Sequence, residues 1–215
     1  MRIVLIQLWA KPTGLFLIAT LAACSPQQAA ESPESADRFA ELGADGQPTM
    51  STSAACVLDS RTGLTWERKS SQAGPRDWQN TYSWYDPDEA HKEQDYRGKA
   101  DTGACAGSDC DTWSLVNATN SEVLCGYDDW RLPSRDELFS ISDLTKAASP
   151  PTVDEIALPL TQSAEYWSAN DYSFQPDSAW AWSFFYGHDR VDWKRTPKYV
   201  RLVRGEATNL TAVKE

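Results

Sequence analysis

Histidine is nearly missing: the 215 residues hold only His91 and His188. A three-histidine metal centre cannot be assembled from one copy of such a chain. Positive charge is also short, with 20 basic against 31 acidic side chains and a net charge of −11. Phosphate recognition needs a basic footprint, so nucleic acid is excluded as a partner. No apolar run reaches the roughly 18 residues that would span a bilayer. Nothing repeats along the chain at a fixed period, and no cysteine follows Cys125. Tryptophan, by contrast, is abundant, with ten residues.

The first residues read as an address. Arg2 and Lys11 precede the apolar stretch Gly14–Ala23, and no acid occurs there. A basic start, a short apolar core and small residues before a cut form a secretory signal over residues 1–23. Leu21-Ala22-Ala23-Cys24 resembles a bacterial lipobox, which implies cleavage before Cys24 and acylation of its thiol. The expected membrane contact is this N-terminal lipid, because a mature chain near −13 is repelled by anionic surfaces. Ser25 follows, and the sorting rule of that resemblance implies the outer membrane.

Residues 24–54 hold one aromatic, Phe39, and few aliphatics. Such a segment cannot offset its chain entropy by burial and is expected to be a flexible tether, with at most a short helix near Asp37–Leu42. Apolar density rises at Cys56, which places one domain at residues 55–205, followed by a polar tail at 206–215. With Cys24 given to lipid, Cys56, Cys105, Cys110 and Cys125 remain. An even number in an exported chain reads as disulfides. Cys105 and Cys110 bracket a short flexible loop that closes easily, which leaves Cys56 to pair with Cys125.

Asp129-Trp-Arg-Leu-Pro-Ser-Arg-Asp-Glu-Leu138 is the most informative string. Ser134 and Glu137 have the spacing of a capping box, opening a helix with an apolar stripe of Leu138, Phe139, Ile141 and Leu144. Asp111 caps an earlier helix expected to turn Trp113, Val116 and Leu115 inward. Strand-like runs follow at Tyr166–Ala169, Ala179–Tyr186 and Lys198–Arg204. Helices early and strands late indicate an α+β fold, an antiparallel sheet with two short helices packed on it and stapled by disulfides.

Thr62-Gly-Leu-Thr-Trp-Glu67, Cys125-Gly-Tyr-Asp-Asp-Trp-Arg-Leu-Pro-Ser-Arg-Asp-Glu-Leu138, Tyr166-Trp-Ser168 and Tyr199-Val-Arg-Leu-Val-Arg-Gly205 together resemble the DUF1566 family, also called the Lcl C-terminal domain. The resemblance covers residues 56–205. It implies an extracellular domain similar to the C-type-lectin-like and formylglycine-generating-enzyme folds. It does not imply one activity.

Catalysis is not expected. The reactive thiols of the formylglycine-generating enzymes lie late in the domain, where this chain has none, and choosing an acid pair such as Asp171 and Asp189 among 31 would be arbitrary. No cofactor or metal is implied; the acidic stretch Asp86–Asp95 lacks the ligand spacing of a Ca2+ loop. The expected role is a binding module for an extracellular glycan or an envelope protein, with a structural or assembly subunit as the alternative. Ligand contacts are expected from two loops, through Asn170, Asp171 and Tyr172 in one and Asp189 and Trp193 in the other. Trp66, Trp130, Trp167 and Trp180 are expected in the core. Arg131, Arg201 and Arg204 are expected to pair with carboxylates such as Asp128 or Glu137. Arg190, Lys194, Arg195 and Lys198 could form a small cationic strip, although an adhesin of this family associated with sulfated glycans is a poor guide for so acidic a chain.

Overall fold

The computed structural model describes residues 38–51, 54–91, 95–208 and 210. These lie within one compact unit, Glu31–Glu215. The signal segment, Cys24 and the first half of the expected tether fall outside the described residues. No helix among those described is long and apolar enough to cross a membrane.

The fold is α+β, with two antiparallel sheets where one was expected. Strands β1 (Phe39–Leu42), β2 (Cys56–Asp59), β3 (Thr65–Glu67) and β7 (Val203–Arg204) form the first, in that order. Strands β4 (Glu165–Asp171), β5 (Ser178–Ser183) and β6 (His188–Trp193) form the second. Helices α1 (Thr112–Ser121) and α2 (Arg135–Ser140) pack beside them.

Strand alternation sends neighbouring side chains to two buried clusters. Cys56, Trp167, Ala179 and Ala181 join one, with Trp84, Leu115, Trp130 and Leu202. Val57, Trp66, Tyr166 and Trp182 join the other, with Leu138, Ile141 and Phe184. Both sheets therefore bury residues on both faces. The segment 198–204 joins the sheets: Trp167 N–H donates to the Tyr199 carbonyl at 3.0 Å, Glu67 N–H to that of Leu202 at 3.1 Å, and Val203 pairs with Trp66. Because its partners change almost residue by residue, only Val203–Arg204 of the expected strand is regular.

The expected tether is corrected over its second half. Phe39–Leu42 is a strand, not a helix or loose chain, paired with β2 from Phe39↔Asp59 to Leu42↔Cys56. Composition alone argued against order here. The strand gains backbone hydrogen bonds at an open sheet edge and buries Leu42, while Arg38 grips the fully buried Asp59 through Nε at 2.8 Å and Nη2 at 2.6 Å. The turn after β1 also touches the disulfide region. A Cβ on Gly46, whose φ is +73°, would lie 2.8 Å from the Cys125 carbonyl oxygen, so the close approach requires glycine.

Cys56–Cys125 and Cys105–Cys110 are bonded. Asp111 caps α1 by accepting from Ser114 N–H at 2.8 Å. Leu115 faces inward as expected and Trp113 outward against expectation, because the buried stripe runs through Thr112, Leu115 and Thr119 and Trp113 falls off it. The Ser134–Glu137 capping box is complete, at 3.2 Å and 2.7 Å. Helix α2 stops at Ser140, short of Leu144. The Ser140 hydroxyl donates back to the Glu137 carbonyl, the Ser142 hydroxyl to that of Leu138, and Arg38 and Arg61 take that of Ser140. Those bonds satisfy the carbonyls that a longer helix would use. The tail is anchored as far as Thr208, whose N–H donates to the Thr62 carbonyl at 2.9 Å.

Candidate functional site

Among the described residues, the short α2 covers only part of the second sheet. In β5, Trp180 and Trp182 point to one face, and the register sets Trp182 opposite Asp189, Trp180 opposite Val191 and Ser178 opposite Trp193. Phe139 of α2 covers Trp182, with ring centroids 5.5 Å apart. Trp180 lies beyond that cover and is half-buried. Arg135, the first residue of α2, reaches over it with its guanidinium carbon 4.2 Å from the ring centroid.

Arg135 organises the site. Its Nη1 donates to Asp189 Oδ2 at 2.8 Å, and its backbone N–H to Asn170 Oδ1 at 2.9 Å. Tyr172 stands edge-on to Trp180 with centroids 5.5 Å apart, and Phe174, 86% exposed, meets Tyr172 at the same separation. At the far end, Trp193 is 40% exposed with Arg195 4.8 Å from its ring centroid. The result is a surface of rings interleaved with two arginines, at a place where, among the described residues, no helix or strand covers the sheet.

Four of the five residues expected at a ligand site, Asn170, Tyr172, Asp189 and Trp193, fall on or beside this surface. The fifth differs. Asp171 Oδ1 accepts from Lys194 Nζ at 2.6 Å, and Lys194 is 1% exposed, its Nζ 3.9 Å from the Trp84 ring centroid. Asp171 thus closes a partly buried ion pair. The expected loops are also corrected. Residues 168–171 belong to β4, with a register shift between Trp167 and Asp171, and 188–193 form β6. Trp84 is buried in the core, its indole N–H donating to the Ser168 carbonyl, whereas Trp180 is not among the buried core residues.

The cationic strip does not exist as such. Lys194 is buried as described, Lys198 donates to Glu165 and Asp192, and Arg190 pairs with Glu165. Arg195 is exposed and lies on Trp193, and Arg190 stays exposed although it is paired. Of the other arginines, Arg131 pairs with Glu137 at 2.7 Å and Arg204 with Asp129 at 2.7 Å. Fully buried Arg201 donates to the Glu67 and Pro159 carbonyls and to Thr161, so it has no carboxylate fork. Sequence reasoning missed Arg135, Phe174, Phe185 and Tyr186. For Arg135 the one signal was its place directly after the capping serine, where a side chain can reach over the sheet.

Among the described residues, no group of three or more His, Cys, Asp and Glu is placed to hold a metal ion. Asp95, in the acidic stretch, is held down to about 2 by its hydrogen bonds to Arg97.

A family model, the Lcl C-terminal domain, matches residues 55–204. The chain belongs to the Lcl C-terminal domain family. The matched segment contains both sheets except β1, and it contains the whole ring-and-arginine surface. No curated protein and no solved structure matches the chain. Strand β1 lies N-terminal to the matched residues and is held to them by Arg38 and Asp59.

Proposed function

We propose that this Lcl C-terminal domain is a non-catalytic binding module of the cell envelope, held to the outer membrane by a lipid on Cys24 and recognising an extracellular glycan or protein. The observation that carries this reading is the uncovered sheet face from Phe174 through Tyr172 and Trp180 to Trp193. The same chain hides Trp66, Trp130 and Trp167 almost completely. Large rings left at the surface beside arginines, with modest conformational entropy to lose, are the usual anchors of recognition surfaces.

The test is a glycan array together with cross-linking in intact envelopes, run on the parent chain and on Trp180→Ala. Loss of the partner or glycan signal in the variant supports the reading. A signal of equal strength in both removes this face from the function. A stable envelope partner without any glycan signal favours the assembly-subunit alternative. Anchoring is tested separately: labelled palmitate incorporated into Cys24→Ala would contradict the lipid attachment.

A further inference from the structure

The opposite face of the same sheet carries a concave site. Phe185 and Tyr186 in the β5–β6 turn, with Glu165, Ser183, Lys198 and Tyr199, border an open groove of about 430 Å3. That size is near the lower end of the range for small-molecule sites, roughly 300–1,000 Å3.

The charged residues that border it, Glu165 and Lys198, are tied into a balanced set with Arg190 and Asp192 beside the groove. Glu165 Oε1 accepts from Arg190 Nε at 2.9 Å and Glu165 Oε2 from Lys198 Nζ, which also donates to Asp192 Oδ2 at 2.7 Å. Two carboxylates thus meet two cations. Burial would raise the Asp192 carboxyl, but its hydrogen bonds to Lys198 and the Trp193 N–H outweigh that and hold it below the usual range. An ionic ligand would find no net field here and would have to displace a partner from this set. A hydroxyl can instead donate to a carboxylate oxygen that already has one partner, because each such oxygen has a second lone pair.

The rim is aromatic and ordered. Phe185 and Tyr186 are 43% and 57% exposed, with centroids 4.7 Å apart, and Tyr186 stacks on His188 at 5.5 Å. A ring already fixed by a neighbour loses little freedom when a ligand lies on it.

We propose that this groove binds an uncharged pyranose unit of a glycan, its hydroxyls directed to Glu165 and its apolar face to the Phe185–Tyr186 rim. The site is separate from the Trp180 surface and goes beyond the reading above.

The full-length chain is titrated with the methyl pyranosides of glucose, galactose, mannose and N-acetylglucosamine and with their disaccharides, read by saturation-transfer NMR. At least one is expected to bind at millimolar concentration, with affinity unchanged between about 0.05 M and about 0.5 M salt, as an uncharged ligand requires. Tyr186→Ala is expected to weaken it about tenfold, Phe185→Ala to act in the same direction, and Trp180→Ala to leave it unchanged. Both substituted rings are exposed, so the fold survives their loss. Absence of binding by the whole set, an affinity that falls with salt, or binding lost in Trp180→Ala but kept in Tyr186→Ala would each overturn the groove assignment. None of these outcomes removes a Trp180-dependent partner, so the two sites stand or fall separately.

Discussion

Around β3 the chain buries charge; on the outer face of β5 and β6 it exposes rings. Both regions use arginine and tryptophan, in opposite ways. Glu67 is wholly buried, its Oε1 accepting from Lys69 Nζ at 2.8 Å and its Oε2 from the Leu202 N–H at 2.9 Å, while its backbone carbonyl takes Arg201. Burial pushes the Lys69 ammonium well below its ordinary value, with Glu67 opposing. Trp66 is sealed beside this network. On the other sheet, Arg135 lies over a half-buried Trp180 and completes no core. The first arrangement fixes where the segment 198–204 docks. The second leaves contact area to spend elsewhere. Position relative to a covering element, and not residue type, separates fold from recognition in this molecule.

The sharpest way to break the contrast is to open the region that should hold the fold. Replacing Cys56 and Cys125 by serine removes a link across 69 residues of sequence, worth about 4 kcal/mol on the chain-entropy view, with further cost because both positions are buried. Denaturant unfolding should show the midpoint collapse. Glu67→Gln should cost about 3 kcal/mol, since it strips the carboxylate from a buried lysine. Cys105→Ser with Cys110→Ser should cost less, about 2 kcal/mol, because the closed loop is short and partly exposed. Trp180→Ala should move stability by about 1 kcal/mol or less in the same assay, since the ring is only half-buried.

Alkaline pH should separate the regions more finely. Burial pushes the Tyr166 hydroxyl up to about 12 and that of Tyr82 higher still. An unfolded tyrosine ionises near 10, so below about 10 both states keep the proton. Above it the folded state alone does, and the stability this represents is lost as pH rises through about 12. Absorbance titration should show these two core tyrosines ionising only with unfolding. Equal ease of ionisation for all eight tyrosines would contradict the buried placement.

What could be read from the sequence was local. The Ser134–Glu137 box spans four residues and its physics is contained in them. The cysteine pairing followed from one short loop and elimination. Strand β1 was hidden because its order comes from a partner edge and from Asp59, 21 residues from Arg38, rather than from its own apolar content. The cationic strip was misread for a related reason: Lys194 and Lys198 are close in sequence, but the carboxylates that absorb them include Asp171 and Glu165 on another strand. Asn170, Tyr172, Asp189 and Trp193 were selected as polar or aromatic residues in breaks, and their grouping depends on Arg135, 54 residues from Asp189.

The most direct test of the central claim measures binding and stability on one protein, Trp180→Ala with Trp193→Ala. The account predicts a folded chain with its unfolding midpoint close to the parent's and with envelope or glycan binding through this face lost. An unfolded variant would place these rings in the core, and a folded one that still binds as the parent does would show that the uncovered face is not where recognition occurs.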